Sequence, residues 1–263
     1  MGTESYKHLK VQTKNNIGVI AVAREEVRNS LNIETLHELE KALLAFEPER
    51  QIKAVIITGS GPKVFASGAD LKEAAQLTAE KRKIQIELGH HVFSLIENFR
   101  TPVIAAINGH ALGGGCELAL ACDIRIIEEH AKIGLVEVGI GTIPGWGGTQ
   151  RLANIVGLGM AKEMIFTGVP LTAAEAKEIR LVNRVVPSGE SLQAAVELAE
   201  RICRNGPYAV QICKMLVNQS VQDRLPSGIR LEKTASQLIF QSKDRTEGIR
   251  AFLEKRSPSF TGE

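Results

Sequence analysis

The 263-residue sequence has few aromatic residues and almost no excess charge. Aromatic residues make up 4% of the chain, and 32 lysines and arginines against 30 acidic residues leave a formal net charge of +2. A dedicated nucleic-acid binder usually carries a basic face or tail, so nucleic acid is not an expected partner. No run of about 18 uncharged apolar residues is present, which argues against a membrane-spanning helix. The length and the 44% hydrophobic fraction predict a folded chain with a substantial core.

Several motifs of well-known enzyme classes are also missing. The glycines near Gly113 do not fit the P-loop pattern, no GxGxxG follows a predicted strand, and no GxSxG elbow occurs. The sequence therefore gives no support for a P-loop, a dinucleotide-binding or a nucleophile-elbow fold. His90 and His91 are adjacent on a predicted helix and diverge by about 100°, so we expect no metal site.

Cysteine usage and the chain start bear on the compartment. The four cysteines form no CxxC pair and lie in apolar stretches, which predicts reduced core thiols: Cys116, Cys122, Cys203 and Cys213. Such usage is typical of intracellular proteins. The first residues show no apolar signal core. We therefore expect a cytoplasmic protein, or a mitochondrial matrix protein if a targeting peptide has been removed.

Strand and helix patterns alternate through most of the chain and become mostly helical after residue 148. Strands are predicted at residues 8–13, 17–23, 52–58, 102–108, 124–127 and 182–186. Helices are predicted at residues 33–46, 79–99 and 116–121, with Asn32 as an N-cap and a capping box at 172–175. This order indicates an α/β core followed by a helical part, with no Pro-, Gly- or Ser-rich linker between them.

The most unusual segment is NGHALGGGCEL, which contains three consecutive glycines, Gly113 to Gly115. They come just before a predicted helix, whose first N–H groups have no internal acceptor and whose dipole is positive at that end. A bare backbone there suits an anion or a carbonyl oxygen that becomes an oxyanion. The alternative is a tight strand–helix turn in which the glycines only permit close packing.

Two glutamates lie in apolar, glycine-rich surroundings. Glu117 is in the first turn of the predicted helix, and Glu137 is the only charge between Lys132 and Arg151. Burial of a carboxylate raises its pKa toward the range useful for acid–base catalysis. The two residues are candidates for a general acid–base pair, and the alternative is two separate, solvated side chains.

A third candidate segment is VFASGADLK, at residues 64–72. Small residues follow a buried strand and precede a helix, so that backbone N–H groups near Ala69 are candidates for a pocket wall. Asp70 is equally well explained as an ordinary helix N-cap.

Together, FASGADLKE, PVIAAINGHALGGGCELALACDIRI, GLVEVGIGTIPGWGGTQRL and EGIRAFLEKRSPSF resemble the enoyl-CoA hydratase (crotonase) family from about His8 to Phe260. The resemblance implies an α/β fold, the crotonase (ClpP-like) spiral of strand–strand–helix units with two near-perpendicular sheets. It also implies a division into residues 1–200, the core with the active site, and residues 201–263. The second part would be a helical region that builds homotrimers or dimers of trimers and completes the CoA site.

The resemblance also assigns roles to individual residues. Ala69 and Gly114 match the two backbone donors of the oxyanion hole, and Glu117 and Glu137 match the catalytic glutamates. Gly145 matches a backbone donor to the attacking water. The residues matched to substrate binding are Ala66, Ser67, Gly68, Ala69, Asp70, Leu71, Lys72, Gly114, Trp146 and Lys255, the last often contributed by a neighbouring subunit.

Three positions depart from the family pattern. The usual Asn-Arg-Pro after the second strand is Ala23-Arg24-Glu25, which puts contacts from that loop in question. Ser236 stands where some members have an aromatic residue that stacks on adenine, and Phe240 is one turn later. Trp146 replaces a residue that is often small, and we expect it to narrow the acyl pocket.

The activity implied is hydration of a trans-2-enoyl-CoA to a 3-hydroxyacyl-CoA, with no cofactor because coenzyme A is part of the substrate. The alternatives within the fold are an enoyl-CoA isomerase, a thioester hydrolase, and a hydratase of branched or dicarboxylic substrates of the methylglutaconyl-CoA type. That last branch includes an RNA-binding member. The helix at residues 34–50 carries a single lysine, so the basic stripe needed for nucleic acid is missing there.

Overall fold

Two β-sheets form the framework of the chain, which the computed structural model describes over residues 5–49, 51–222, 233–234, 237 and 240–258. The larger sheet has the order β1-β2-β3-β5-β7-β10 and the smaller sheet the order β4-β6-β8-β9. The strands are β1 (Leu9–Lys14), β2 (Ile17–Val22), β3 (Ala54–Gly59), β4 (Val64–Ala66), β5 (Val103–Ile107), β6 (His110–Leu112), β7 (Ile124–Glu128), β8 (Lys132–Gly134), β9 (Leu171–Thr172) and β10 (Arg184–Val186).

Helices cover both sheets. They are α1 (Ile33–Phe46), α2 (Leu71–Gln76), α3 (Ala79–Glu97), α4 (Gly114–Ala121), α5 (Gly148–Val156), α6 (Leu158–Thr167), α7 (Ala173–Glu178), α8 (Ser191–Cys203), α9 (Pro207–Gln222) and α10 (Lys243–Leu253). Short 3-10 turns occupy Glu25–Val27 and Glu137–Ile140. None of the helices in the described part is long and apolar enough to cross a membrane.

The larger sheet follows the sequence pattern closely. Asn15 and Asn16 both have positive φ, 51° and 66°, and form the tight turn between antiparallel β1 and β2. The remaining strands pair in parallel, and every residue of β3 and β5 is buried. Strands buried on both faces are apolar throughout, which is why these runs were recognisable.

One face of the larger sheet is covered by α8, through Ala195 and Ala199 against residues such as Ile56 and Ile104. The other face carries the main core. The helix ends largely match the prediction. Asn32 caps α1 by accepting a hydrogen bond from the Thr35 amide, and the capping box at the start of α7 is formed.

The smaller sheet is absent from the residue-level prediction. Its strands have only two or three residues, too few to show an alternation of apolar and polar positions. The glycine-rich segment NGHALGGGCEL contains β6, and α4 begins at Gly114 rather than at Cys116. The chain passes repeatedly from a strand of the large sheet to one of the small sheet and then to a helix, as in β5–β6–α4. This is the strand–strand–helix unit that the resemblance implies.

The cysteine prediction was half right. Cys116 and Cys122 are buried, but Cys203 is half-buried and Cys213 is exposed; all four are free thiols. Cys213 lies on the outer face of α9, where apolar side chains are exposed instead of forming core, so its apolar sequence context was misleading. The described residues contain no group of three or more His, Cys, Asp or Glu side chains placed to hold a metal ion.

Candidate active site

A cavity of about 240 Å³ lies between the small sheet, α2, α3 and α10. Its wall includes most of the residues singled out from the sequence, namely Ser67, Gly68, Ala69, Leu71, Gly114, Glu117, Glu137, Gly145 and Trp146. Helix α10 closes one side so tightly that a Cβ atom on Gly248 would lie 2.1 Å from the Ile140 carbonyl oxygen. The cavity therefore combines segments that are far apart in the sequence.

Two backbone amides lie side by side in the cavity wall. Leu31 forms a parallel bridge around Ala69 by donating to the Gly68 carbonyl (2.8 Å) and accepting from the Asp70 amide (3.0 Å). The Ala69 amide between them therefore faces the opposite side. Gly114 is the first residue of α4, so its amide has no acceptor within the helix. Neither amide donates a hydrogen bond to another of the described residues.

Glycine is required at positions 68 and 114, by the backbone conformation of Gly68 and by the ring of Trp146 beside Gly114. A Cβ atom on Gly114 would lie 3.4 Å from the Ala69 amide nitrogen and 2.4 Å from the ring of Trp146. Gly68 has a φ of +100°, and a Cβ there would lie 3.1 Å from the Gly114 nitrogen. The glycines thus place two backbone donors next to each other in the cavity wall.

The carboxylate of Glu117 is held by the loop before α5. Its Oε1 accepts hydrogen bonds from the amides of Trp146 and Gly148, both at 2.8 Å. Glu117 is only 2% exposed, and a Cβ on Gly148 would lie 2.9 Å from the same oxygen. The side chain is fixed in orientation while it still reaches the cavity wall.

Glu137 reaches the same cavity from the 3-10 turn after β8. It is half-buried, and its Oε1 would be 3.2 Å from a Cβ on Gly113, a residue with a φ of +54°. Burial raises the pKa of the Cys116 thiol well above its usual value, and the charges of Glu137 and Glu117 act in the same direction. The charges of both carboxylates therefore reach one buried thiol at the start of α4.

Trp146 forms an apolar wall of the cavity. It is 3% exposed and packs edge-on against Phe93, with ring centroids 5.4 Å apart. A Cβ on Gly89 would lie 2.2 Å from the indole, so α3 approaches it as closely as it can. The Arg151 guanidinium donates to the Trp146 carbonyl (2.9 Å) and pairs with Glu97 (2.9 Å). The indole therefore occupies part of the cavity wall, and its narrowing of an acyl pocket stays a prediction.

The loop after β2, whose contacts were in question, is bonded directly to the segment that follows Ala69. Arg24 is buried and donates to Asp70 (3.1 Å) and to the Ser30 carbonyl (2.6 Å). Asp70 also caps α2 by accepting from the amides of Lys72 and Glu73, so the N-cap interpretation is confirmed. Burial opposes its charge, but the Glu73 amide and Arg24 outweigh burial and hold the pKa of Asp70 below its usual value.

Some candidate residues lie away from the cavity lining. Ala66 is buried behind the wall, where its carbonyl oxygen would lie 1.9 Å from a Cβ on Gly115. Lys72 and Lys255 are exposed, and Lys255 has a φ of +55° just after α10. Ser236 lies outside the described residues.

The cavity residues that were not identified from the sequence include two arginines that are largely shielded from solvent. Arg82 of α3 and Arg245 of α10 both line the cavity. Arg82 lies in the charged run EKRK, which reads as a solvent-exposed helix start. No local pattern distinguishes the one arginine that turns inward, because the reason is the tertiary position of α3.

The sequence matches the family described as Enoyl-CoA hydratase/isomerase over residues 12–263. It is 42% identical over 247 residues to a short-chain-enoyl-CoA hydratase of Clostridium acetobutylicum, covering 94% of each chain. It is also 42% identical to a crotonyl-CoA hydratase of Syntrophomonas wolfei, covering 97% of this chain and 98% of the relative.

A solved structure agrees with these relatives. The enoyl-CoA hydratase from Bacillus anthracis is similar with a TM-score of 0.81 and 43% identity, covering 98% of this chain and 100% of that one. Its fold and the matched motifs agree with the spiral of strand–strand–helix units described above. The chain therefore belongs to the enoyl-CoA hydratase/isomerase family.

Proposed function

We propose that this protein is an enoyl-CoA hydratase that adds water syn across the double bond of a trans-2-enoyl-CoA and releases a 3-hydroxyacyl-CoA. The observation that carries this proposal is the placement of the Ala69 and Gly114 amides in one cavity with the carboxylates of Glu117 and Glu137. The full-length similarity to hydratases supports it.

The two amides would receive the thioester carbonyl oxygen. When water adds at C3, electrons move into the thioester and its oxygen becomes an enolate. The Leu31 bridge fixes the Ala69 amide and the start of α4 fixes the Gly114 amide, so both donors can stabilise the enolate oxygen without first changing their orientation. A donor of this kind is typically worth about 2.7–4 kcal/mol of transition-state stabilisation.

The two glutamates would hold the single water molecule. Glu117 orients the water and accepts its proton, while Glu137 supplies the proton that arrives at C2. The Gly145 amide helps to position the same water. Positioned acid–base groups commonly contribute roughly 10²–10⁴-fold. Neighbouring carboxylates titrate as a pair, so the two roles describe one coupled unit.

Hydration fits the site better than isomerisation. Moving a double bond needs a proton shuttle and no bound water, so one carboxylate suffices. Here two carboxylates, those of Glu117 and Glu137, line the same cavity, and two backbone amides anchor Glu117. Such an arrangement suits a reaction in which a water molecule must be held between two acidic groups.

The substrate is an acyl-CoA thioester, and we propose that no further cofactor, membrane or nucleic acid is involved. We also propose assembly into homotrimers or dimers of trimers, in which Lys255 of one copy would reach the CoA nucleotide of another. The exposed apolar residues of α9 support such an assembly. The proposed location is the cytoplasm, or the mitochondrial matrix if a targeting peptide precedes this sequence.

Incubation of the purified protein with crotonyl-CoA in ¹⁸O-labelled water tests the activity. We expect the conjugated enoyl absorbance to disappear and the product to be 3-hydroxybutyryl-CoA carrying one labelled oxygen. A shift of the double bond without uptake of oxygen would instead identify an isomerase. Release of free coenzyme A would identify a thioester hydrolase.

A further inference from the structure

Three arginines line the cavity, whose other walls are largely apolar: Arg28, which is exposed, and Arg82 and Arg245, which are more deeply buried. Arg82 enters from α3 and Arg245 from α10, next to apolar groups such as Leu71, Ala74 and Ile249. Hydration of a simple hydrocarbon chain has no use for buried cations at this place. The proposed oxyanion hole consists of backbone amides, and Glu117 is anchored by backbone amides as well.

Neither Arg82 nor Arg245 has an acidic partner in the described part of the chain. Arg82 donates to the neutral amide oxygen of Gln85, and its Nε is buried with no hydrogen-bond acceptor. Arg245 donates to the Ala74 carbonyl (3.2 Å) and stacks on the Phe240 ring, 4.3 Å from its centre. Burial lowers the pKa of Arg82 to about 10, and the charge of Arg245 acts in the same direction. The charge of Glu117 acts on Arg82 in the opposite direction but without a direct ion pair, and burying like charges without such a pair is costly.

Arg82 is also held in place by a chain of polar groups, of which Gln85 is buried and Glu73 half-buried. Gln85 is fully buried, and its amide nitrogen donates to Glu73 Oε2 at 3.0 Å. Glu73 in turn accepts the Ile33 amide at 3.1 Å. This chain directs the amide oxygen of Gln85 toward the Arg82 guanidinium. A guanidinium positioned in this way matches a planar anion such as a carboxylate.

Resting on the proposed function, we propose that Arg82 and Arg245 form a subsite for a carboxylate at the far end of the acyl group, so that the preferred substrates are trans-2-enoyl-CoA thioesters of dicarboxylic acids. The coenzyme also carries anions, its phosphates. These are separated from the thioester by the full length of the pantetheine arm, whereas Arg82 lines the same cavity as Glu117, Ala69 and Gly114. The anion therefore belongs to the acyl side.

The test compares two substrates of similar shape. Trans-pent-2-enedioyl-CoA ends in a carboxylate, and 5-methylhex-2-enoyl-CoA has an uncharged isopropyl group in its place. We expect the wild-type protein to show a kcat/KM at least tenfold higher for the charged substrate. Equal values, or a preference for the isopropyl compound, would overturn the subsite.

Variants then assign the preference to the arginines. Arg82→Gln and Arg245→Gln should each lower the ratio of the two kcat/KM values at least tenfold. Arg82→Lys should leave an intermediate ratio, because lysine keeps the positive charge but lacks the planar guanidinium that binds a carboxylate through two hydrogen bonds. Lys83→Gln is the matched control, because Lys83 is exposed on the same helix and lies outside the cavity. A ratio unchanged in Arg82→Gln, with the pH profiles of both substrates shifted equally, would show that the arginine only tunes the glutamates and would overturn the proposal.

Binding of saturated analogues separates this inference from the proposed function. Glutaryl-CoA should bind more tightly than 5-methylhexanoyl-CoA to the wild-type protein, and Arg82→Gln should remove the difference, even if no substrate is hydrated. Failure to hydrate crotonyl-CoA and both test substrates would overturn only the hydratase activity. If Arg82→Gln weakens the binding of free coenzyme A as strongly as that of glutaryl-CoA, the arginine binds phosphate and the carboxylate subsite is wrong.

Discussion

Glu137 offers the sharpest test at the scale of a single residue. Glu137→Gln keeps the size of the side chain but removes the acid that would protonate C2. We expect kcat for crotonyl-CoA to fall roughly 10²–10⁴-fold while KM changes little. Glu129→Gln, an exposed acid after β7, is the control and should retain full activity. Near-wild-type turnover by Glu137→Gln would exclude the proposed role.

The proposed donor at Ala69 is a backbone group, so its test must change the backbone. Ala69→Pro removes the N–H, whereas Ala69→Ser keeps it and adds one hydroxyl. We expect a loss of about 10²–10³-fold in kcat for the proline variant, typical for one oxyanion donor, and near-normal activity for serine. Thermal unfolding of both variants reports whether the fold survives. Equal activities in two folded variants would contradict donation from this amide.

Single residues also show where sequence reasoning stops. The glycines at Gly113–Gly115 and the glutamates at 117 and 137 stand out locally, because bare backbone and isolated charge are rare in apolar segments. Arg82 does not stand out, because an arginine among charged neighbours reads as solvated. Its inward position depends on α3 packing through Gly89 against Trp146, a contact between residues far apart in the chain.

At the scale of elements, long strands were predictable and short ones were not. β3 and β5 are fully buried apolar runs of five or six residues, and their composition alone indicates a strand. β4, β6 and β8 have three residues each and form only because neighbouring turns of the spiral place them side by side. The small sheet therefore depends on tertiary structure, although it carries the segments that lead into the site.

The pair Arg24–Asp70 joins the loop after β2 to the start of α2, and its contribution depends on pH. Folding lowers the pKa of Asp70 below its value of about 3.8 in the unfolded chain. The charged carboxylate therefore stabilises the folded protein above pH 3.8, and this contribution is lost as the pH falls through the pKa of the folded state. Asp70→Asn keeps a side chain able to cap α2 but removes the charge. We expect it to lower the free energy of unfolding by about 1.5–3 kcal/mol at pH 7.

Denaturant unfolding of both proteins at equal concentration, at pH 7, 5 and 3, checks this effect. The difference between wild type and Asp70→Asn should be largest at pH 7 and shrink toward pH 3. A difference that is independent of pH would mean that the carboxylate contributes through shape alone. Because Ala69 precedes Asp70, we also expect kcat/KM of the variant to fall at neutral pH.

At the scale of the whole molecule, the cavity brings together parts of the chain that are nearly 200 residues apart. Ser67 and Gly68 come from the segment after β4, and Ile249 and Phe252 come from α10. The resemblance implied that the C-terminal region completes the CoA site. In this structure α10 lies against the Glu137–Ile140 turn of its own chain and contributes Ile249 and Phe252 to the cavity, while completion of the CoA site stays a prediction.

Helix α9 leads to the prediction about assembly. Its residues Tyr208, Met215, Leu216 and Val217 are 53–75% exposed, an apolar surface that a soluble monomer seldom shows. We expect homotrimers or dimers of trimers in sedimentation velocity, and the double substitution Met215→Glu with Val217→Glu should shift the protein toward monomers. Gln193→Glu on the exposed side of α8 adds charge elsewhere and should leave the assembly unchanged.

If Lys255 of one copy reaches the nucleotide bound to another, KM for crotonyl-CoA should rise as the assembly dissociates. A variant that becomes monomeric with unchanged KM would show that each chain binds the coenzyme alone.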